Sequence, residues 1–268
     1  MGFFLVLKAE IVRGFIIARR YWFASLTGIV VGYGMLFMLI TALMTGSEQI
    51  ADMAEDAVGG ALKLIIGIFA FGIVGLFSQG LQGMARTGEL EQVCMSPHGL
   101  VTNFLARSFV AALSSILSLS LVIWLIALSF GGRGTLQFDF LPTVTLLALT
   151  YVNLIGFGFM VGGLVLIFKQ TGQIAILIRL GMIGLAFPAQ ENINQWPLFL
   201  QTIIHVLPVT NAAICLNDVL IEGVGTAVFG YRAFYFLILS CVIWTAIGIS
   251  LFRYMEDWSR DKGTLGAY

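Results

Sequence analysis

Charged residues are scarce in this chain of 268 residues, where Asp, Glu, Lys and Arg together make up 10%. A soluble domain carries roughly 25%. Hydrophobic residues reach 59%, and the mean hydropathy is +0.98. A chain with so little charge cannot enclose its apolar surface in one aqueous core, so lipid must solvate much of it. The formal net charge is zero, which gives no reason to expect nucleic acid as a partner.

Cysteine and histidine are also rare, with three and two residues respectively. Cys94, Cys215 and Cys241 lack metal-ligand spacing, so we expect them to be packing residues and not a disulfide framework. His98 and His205 do not belong to an H-E-x-x-H motif. The sequence therefore predicts neither a metal site nor catalytic residues on this chain.

Motifs for handling nucleotides and acyl groups are missing as well. The sequence contains no Gly-Lys pair and hence no G-x-x-x-x-G-K-[ST] loop to hold phosphates. It has no G-x-S-x-G nucleophile elbow either. Every Asp and Glu falls in a predicted loop, arm or tail, whereas transporters driven by protons or sodium usually need carboxylates or His inside the membrane. If this chain moves a solute uphill, we expect the energy to come from another subunit.

Long apolar stretches are what the sequence does have, and a helix needs about 20 such residues to span a bilayer. Six stretches run from about Tyr21 to Met44, Ala61 to Met84, Leu100 to Phe130, Leu141 to Phe168, Gln173 to Ala189 and Ala233 to Tyr254. The prediction is an all-α membrane protein with six transmembrane helices, forming a single domain over residues 1–268. The fifth stretch is short, so it could enter the bilayer irregularly.

The distribution of Lys and Arg predicts the orientation of these spans. With the N-terminus inside, ten basic residues lie on the cytoplasmic side: Lys8, Arg13, Arg19, Arg20, Arg86, Arg107, Lys169, Arg253, Arg260 and Lys262. Three lie on the other side: Lys63, Arg133 and Arg232. Both termini are then cytoplasmic, and we expect a multi-pass protein of a plasma membrane, the inner membrane if the cell is bacterial.

The N-terminal arm, residues 1–20, has apolar residues at helical spacing: Phe4, Leu7, Ile11 and Phe15. With basic residues around that stripe, the pattern favours an amphipathic interfacial helix on the cytoplasmic leaflet. The alternative is an ordinary extension of the first span, because Val12 also lies off the stripe.

Residues 190–230 form the longest region between spans. Its apolar runs, such as Leu198 to Leu207, are too short to cross and favour a hairpin of re-entrant or interfacial helices on the external side. Four residues of this region are candidates for an external gate: Glu191, Trp196, Pro208 and Asn211.

Polar residues inside the spans are candidates for a translocation pathway: Thr27, Tyr33, Gln79, Gln82, Asn153 and Arg179. Arg179 is the one ionisable residue within a predicted span, which makes it a functional candidate. The alternative is that it lies near the cytoplasmic end and extends to the headgroups. Gly28-x-x-x-Gly32 and Gly158-x-x-x-Gly162 could bring helices close together.

The most informative segment is residues 85–98, between the second and third predicted spans on the cytoplasmic side. Glu89, Leu90, Val93 and Met95 allow one or two turns of amphipathic helix, which would end before Pro97. Taken alone, this pattern is also typical of a solvated connection between two helices.

This segment resembles the cytoplasmic loop of type-2 ATP-binding-cassette (ABC-2) export permeases, which carries R-x-x-G-T-L-E-x-L-x-x-[ST]-P. The matching residues are Arg86, Gly88, Leu90, Glu91, Ser96 and Pro97. The chain departs from the pattern at Glu89, where Thr is common, and in its shortened Arg-Thr-Gly start. Residues 207–213, Leu-Pro-Val-Thr-Asn-Ala-Ala, resemble the family's stretch between spans five and six, and the predicted layout matches over nearly the whole chain.

The resemblance implies a half-transporter, with two copies forming the pathway, most commonly as a homodimer. It implies two separate cytoplasmic ATPase subunits that bind ATP and Mg, so that this chain is no enzyme and carries no cofactor. Residues 85–98 would be the coupling helix that receives their motion. The residues assigned to coupling are Arg86, Gly88, Glu89, Leu90, Glu91, Gln92, Met95 and Pro97.

The apolar spans favour an amphiphilic or hydrophobic substrate, such as a drug, an antibiotic or a lipid-like molecule, with membrane lipids as the other partner. A lipid-linked glycan is an alternative substrate, since related permeases export such molecules. Two other classes stay open. A membrane scaffold or assembly factor would have no ATPase partner, and an intramembrane enzyme would need converging His, Asp or Glu residues that the sequence does not supply.

Overall fold

The computed structural model describes residues 2–44, 50–130, 136–168, 172–188 and 193–262, and these ranges contain α-helices, one 3-10 helix and no strand. The α-helices are α1 (Gly2–Arg20), α2 (Trp22–Met44), α3 (Ile50–Thr87), α4 (Glu89–Met95), α5 (Gly99–Ser129), α6 (Phe140–Phe168), α7 (Gly172–Gly184), α8 (Leu198–Val206), α9 (Thr210–Leu220) and α10 (Arg232–Asp261). The 3-10 helix spans Gly225–Gly230.

Five of these helices are long and apolar enough to cross a membrane. Their spans are Trp22–Ala42, Val58–Thr87, Gly99–Ser129, Phe140–Ile167 and Arg232–Asp261. They coincide with the first four predicted spans and the sixth, so the chain is an all-α, multi-pass membrane protein. The prediction from apolar length is thereby confirmed for these five segments.

Two predicted boundaries were wrong. The fifth span was expected to extend to Ala189, but α7 ends at Gly184 after 13 residues, or about 20 Å, against the roughly 30 Å of the hydrocarbon core. The acidic stretch before the second span was expected to be a loop. Instead α3 begins at Ile50, so that Asp52 and Glu55 lie in its first turns.

Helix α3 lies at the centre of the bundle, where an aromatic cluster joins it to three other helices. The Phe77 ring of α3 stacks on Phe104 of α5 at 5.6 Å between centroids and meets Phe159 of α6 edge-on at 4.7 Å. Phe159 in turn meets Phe252 of α10 at 5.1 Å. All four side chains are fully buried, so this cluster forms the core.

Glycines set the closest helix approaches. Gly248 of α10 packs against the backbone of Gly156 of α6 so tightly that an added Cβ would overlap the Gly156 carbonyl. The predicted pair Gly158 and Gly162 also lies at an interface, because Cβ atoms there would come within 3.0 Å of Phe77 or Leu81 of α3. In contrast, Gly28 and Gly32 have nothing within 4 Å among the described residues.

The two ends of the bundle are defined by their contacts. Helix α4 joins the end of α3 to the start of α5, and the end of α10 reaches the same place, where Arg260 donates a hydrogen bond to the Cys94 carbonyl at 3.4 Å. We call this the α4 end. At the far end, the start of α6 meets the end of α9, because the Gln137 N–H donates to the Leu220 carbonyl at 2.8 Å.

Helices α7 and α9 pack one above the other along α3. A Cβ at Gly59 of α3 would lie 3.2 Å from Asn217 Oδ1 of α9, and one at Gly67 would lie 2.8 Å from the Ile183 Cα of α7. The Thr210 hydroxyl, at the start of α9, donates to the Leu185 carbonyl just after α7 at 2.8 Å. The two short helices are thus joined end to end, although 25 residues separate the hydrogen-bonded pair.

The predicted N-terminal helix is present as α1, and the chain departs from regular helix at Tyr21 before α2 begins. It contacts α5, because Gly14 lies against Val110 and Glu10 lies 3.9 Å from Arg107. Residues 22–28 of α2 are exposed, so the first turns of α2 diverge from α5. The interfacial position of α1 in a bilayer stays a prediction.

Candidate functional site

Two glycines in the left-handed conformation lie at the helix starts around the ABC-2-like segment: Gly88 precedes α4, and Gly99 is the first residue of α5. Gly88 has φ 75° and Gly99 has φ 65°, a region that residues with a Cβ rarely adopt. The Ser96 hydroxyl donates to the Val93 carbonyl at 2.7 Å and closes the last turn. The prediction of a short helix that ends before Pro97 is therefore confirmed for the backbone.

One side of α4 is anchored and the other is exposed. Leu90 is completely buried and belongs to the main core, which fixes the helix against the bundle. Arg86, Glu91 and Pro97 are exposed, and Met95 is 78% exposed. An exposed apolar residue beside charged ones, on a helix held by a buried leucine, is suited to contact another protein.

A polar cavity of about 380 Å³ separates the anchored part of α4 from α1 and α5. Glu89 and Gln92 line it together with Glu10, Arg13 and Arg107. Glu10 lies 3.6 Å from Arg13 and 3.9 Å from Arg107. Two residues assigned to coupling, Glu89 and Gln92, thus line this cavity and are at the same time exposed.

A second contact joins α4 to the end of α10, and sequence spacing offered no signal for it. Arg260 bonds Glu256 of its own helix at 2.5 Å and also the Cys94 carbonyl, 166 residues away. Burial raises the pKa of the Cys94 thiol, and the nearby Glu256 carboxylate raises it further, while Arg260 opposes the rise. The thiol is therefore protonated and weakly nucleophilic at neutral pH.

Hydrogen bonds hold the turn between α8 and α9 deep among α6 and α10. The Asn153 amide of α6 donates to the Pro208 carbonyl at 3.2 Å and to the Ser240 hydroxyl of α10 at 2.7 Å. The Trp244 indole donates to the Val206 carbonyl at 2.7 Å. We call these five residues the hairpin node.

Next to the hairpin node, Asn211 and His205 pair with each other. The Asn211 amide donates to the His205 carbonyl at 2.6 Å, and its Oδ1 lies 2.7 Å from His205 Nδ1. The His205 ring stacks on Phe236 of α10 at 4.9 Å. Both polar side chains are buried, so this pair fixes the sharp bend of 78° between α8 and α9.

The structure describes three of the four gate candidates and does not bring these three together. Pro208 and Asn211 are buried in and beside the hairpin node. Trp196 is 38% exposed, and its carbonyl accepts a hydrogen bond from Gln201 at 2.8 Å. Glu191 lies outside the described residues.

The pathway candidates are likewise spread over different surfaces. Thr27 is exposed and bonds the Phe23 carbonyl of its own helix at 2.9 Å. The Tyr33 hydroxyl lies 2.7 Å from the Ser129 hydroxyl of α5. Gln79 is exposed and Gln82 is half-buried. Asn153 belongs to the hairpin node, so these residues do not form one continuous polar surface.

Arg179 of α7 is directed into the bundle and is 4% exposed. Its Nε donates to the Phe71 carbonyl of α3 at 3.0 Å, and its guanidinium lies 3.8 Å from the Phe71 ring centroid. The guanidinium also fills the space left by Gly75, where a Cβ would overlap it. Its Nη1 has no partner within the part of the chain that the structure describes. The side chain thus attaches α7 to α3 and does not extend along α7 to a headgroup.

Comparison of the sequence with models of protein families and with curated proteins gives no match.

Proposed function

We propose that this chain is the transmembrane subunit of an ATP-driven exporter of the ABC-2 type. The observation that carries the proposal is α4, a short helix with a buried leucine and an exposed charged and apolar face, located at the connection of two spans. The absence of a phosphate-binding loop from the sequence supports it, because the energy source would then reside on a partner. The resemblance of residues 86–97 to the ABC-2 loop supports an ATPase that binds ATP and Mg as that partner.

The contacts of α4 support a role in transmitting motion. Arg260 ties its C-terminal turn to α10, and Leu90 ties its first turn to the core. Displacement of α4 by an ATPase would therefore act directly on α3, α5 and α10. ATP can shift the spans between two states only if the ATPase binds α4 differently in each.

Six crossings fit the contacts better than five. Helix α6 starts at the far end and runs toward the α4 end, where Gly163 packs against Phe252 and Met255 of α10. Helix α9 ends at the far end, beside Gln137. The chain must return between these points, and α7 joined to α9 supplies that return as a broken span. With the basic residues at the α4 end, both termini are cytoplasmic and the segment containing α8 and α9 opens to the outside.

The lipid-facing surfaces support an assembly of two copies with an amphiphilic substrate. Helix α7 presents Ile174, Leu177 and Leu180, each more than half exposed, and Gly28 and Gly32 of α2 leave an open small-residue surface. A second copy, most simply in a homodimer, can cover such surfaces and leave a pathway between the subunits.

The experiment that tests the proposal places a photo-crosslinking amino acid at Met95 in the full chain in its native membrane. The matched control places it at Leu117, an exposed apolar residue on the membrane portion of α5. We expect Met95 to crosslink to a protein that carries a Walker-A loop and hydrolyses ATP, and Leu117 not to do so.

Replacing Glu91 by Ala should then lower substrate-stimulated ATP hydrolysis in the purified complex.

A complex that contains no ATPase, with no crosslink from Met95, would contradict the proposal and favour a membrane scaffold. An ATPase that is stimulated by lipid-linked glycans and not by hydrophobic drugs would keep the exporter class and change the substrate.

A further inference from the structure

A cavity of about 440 Å³ lies between α3, α5, α6 and α9, toward the far end of the bundle. Its wall is mostly aliphatic and aromatic and includes Leu62, Ile66 and Phe69 from α3, Leu119 from α5, Leu147 from α6 and Leu216 from α9. The three α3 side chains are at most 5% exposed. The cavity is separate from α4 and from the hairpin node.

The cavity reaches the surface of the bundle beside α5 and the start of α6, because two side chains of its wall, Trp124 and Phe138, are 55% and 69% exposed. These helices meet where the Ser108 hydroxyl lies 3.1 Å from the Tyr151 hydroxyl. Further toward the far end, Leu119 of α5 and Leu147 of α6 both line the cavity. Because α5 and α6 are membrane spans, the medium at this opening is the hydrocarbon of the bilayer.

Among the buried side-chain oxygens of the wall, Thr143 Oγ1 has no partner within the described residues. Thr143, one turn into α6, is 3% exposed, and its Oγ1 makes no hydrogen bond to any residue that the structure describes. Thr150, the other threonine of the wall, bonds the Leu146 carbonyl at 2.7 Å. A buried hydroxyl without a partner is uncommon. Thr143 lies near the start of the span Phe140–Ile167, so its hydroxyl is closer to one end of the span than to its middle.

We propose that this cavity binds one acyl chain of a membrane lipid from the leaflet at the far end, with the Thr143 hydroxyl donating to the ester carbonyl of that chain. The volume fits: an apolar cavity of about 150 Å³ admits the six carbons of benzene, so about 440 Å³ accepts on the order of eighteen carbons. Water is disfavoured because so few polar groups line the wall. The site requires neither an ATPase nor a transported substrate, so it is independent of the proposed function.

The test uses the full chain in phosphatidylcholine nanodiscs doped with a lipid that carries a diazirine midway along one acyl chain. After irradiation, mass spectrometry maps the adducts. We expect adducts on Leu62, Ile66 and Phe69, which bulk lipid cannot reach, as well as on Leu113, which is 53% exposed on α5. Leu119→Trp, which fills the cavity, should reduce the α3 adducts at least five-fold relative to Leu113. Leu117→Trp, on the lipid-facing side of the same helix, should leave them unchanged.

Absence of α3 adducts in the wild-type chain would overturn the proposal, including the case in which a second copy occupies the cavity and excludes the probe. Equal adducts in Leu119→Trp and wild type would overturn it too. If Leu119→Trp does not fold, Ile123→Trp fills the same space.

The role of Thr143 is tested by Thr143→Val, which should abolish a preference for an ester-linked over an ether-linked probe. A wild-type chain without that preference would remove the hydroxyl from the site.

Discussion

At the scale of single residues, Cys94 reports on the junction of α4 and α10. It is half-buried, whereas Cys215 and Cys241 are buried, so a maleimide should react with Cys94 alone in the folded protein. The negative charge of Glu256 disfavours the Cys94 thiolate, and Arg260 favours it. The reactivity of this thiol therefore depends on the ion pair that binds α4.

We predict that Glu256→Gln moves the pH dependence of Cys94 labelling to lower pH. The pKa of Cys94 is raised by burial and by Glu256, so removing the carboxylate lowers the pKa and increases the thiolate at a given pH. The measurement is the rate of fluorescent maleimide labelling against pH, with Cys94→Ala as the blank. A profile unchanged from wild type would show that Glu256 does not act on the thiol.

A second residue-scale prediction concerns the contact of α6 with α10. Gly248→Ala should lower the thermal midpoint, because its Cβ has no space beside the Gly156 carbonyl; overpacking of this kind costs about 1–3 kcal/mol. Gly181→Ala is the control, since nothing lies within 4 Å of a Cβ there and alanine favours a helix by about 1 kcal/mol. Thermal unfolding followed by size-exclusion chromatography compares them. Equal midpoints for the two variants would contradict the packing argument.

How far single residues could be predicted depended on whether the signal was local. The short helix α4 and its end before Pro97 followed from adjacent residues. The bonds of Asn153 to Pro208 and of Arg260 to the Cys94 carbonyl join residues 55 and 166 positions apart. A sequence pattern predicts contacts between residues a few positions apart, and not between residues this far apart. The polar contacts of the hairpin node and of the junction between α4 and α10 could therefore not be predicted.

At the scale of elements, apolar length predicted six spans, and five of them are long helices, because lipid requires continuous apolar runs and satisfied backbone groups. The same reasoning failed for α7. Its apolar pattern continues past Gly184, yet the helix ends there and Thr210 bonds the Leu185 carbonyl that follows. The end of α7 thus lies at a contact with a later segment, and Pro188, which interrupts a helix, follows four residues after Gly184.

We predict that the hairpin node stabilises α8 against local opening. Asn153→Leu removes the bonds to Pro208 and Ser240; an interhelical bond in a membrane is worth about 0.6–1.7 kcal/mol, so exchange should accelerate several-fold. The measurement is hydrogen–deuterium exchange of residues 198–209. Asn103→Leu is the control, because that amide bonds only the Gly99 carbonyl of its own helix, at 2.9 Å. Similar exchange in both variants would indicate that α8 is held by apolar packing instead.

At the scale of the whole molecule, the number of crossings decides the orientation of the segment containing α8 and α9. With five crossings, the 3-10 helix Gly225–Gly230 would lie on the same side as α4. With α7 and α9 acting together as a sixth, it lies on the opposite side. The hydrogen bonds of Gln137 to Leu220 and of Arg260 to Cys94 place these two segments at opposite ends of the bundle, which favours six.

We predict that a cysteine at Thr226, introduced into Cys94→Ala, reacts with a membrane-impermeant maleimide in intact cells. Thr226 is exposed within the 3-10 helix, so the reagent can reach it from outside. Asp261→Cys, at the exposed end of α10, should react only after the cells are permeabilised, because α10 crosses the membrane between the two positions. Cys94 in the wild-type chain should also require permeabilisation.

If Thr226→Cys requires permeabilisation as Cys94 does, the chain crosses five times, and α7 with α9 is not a span. If Asp261→Cys and Thr226→Cys both react in intact cells, α10 does not cross.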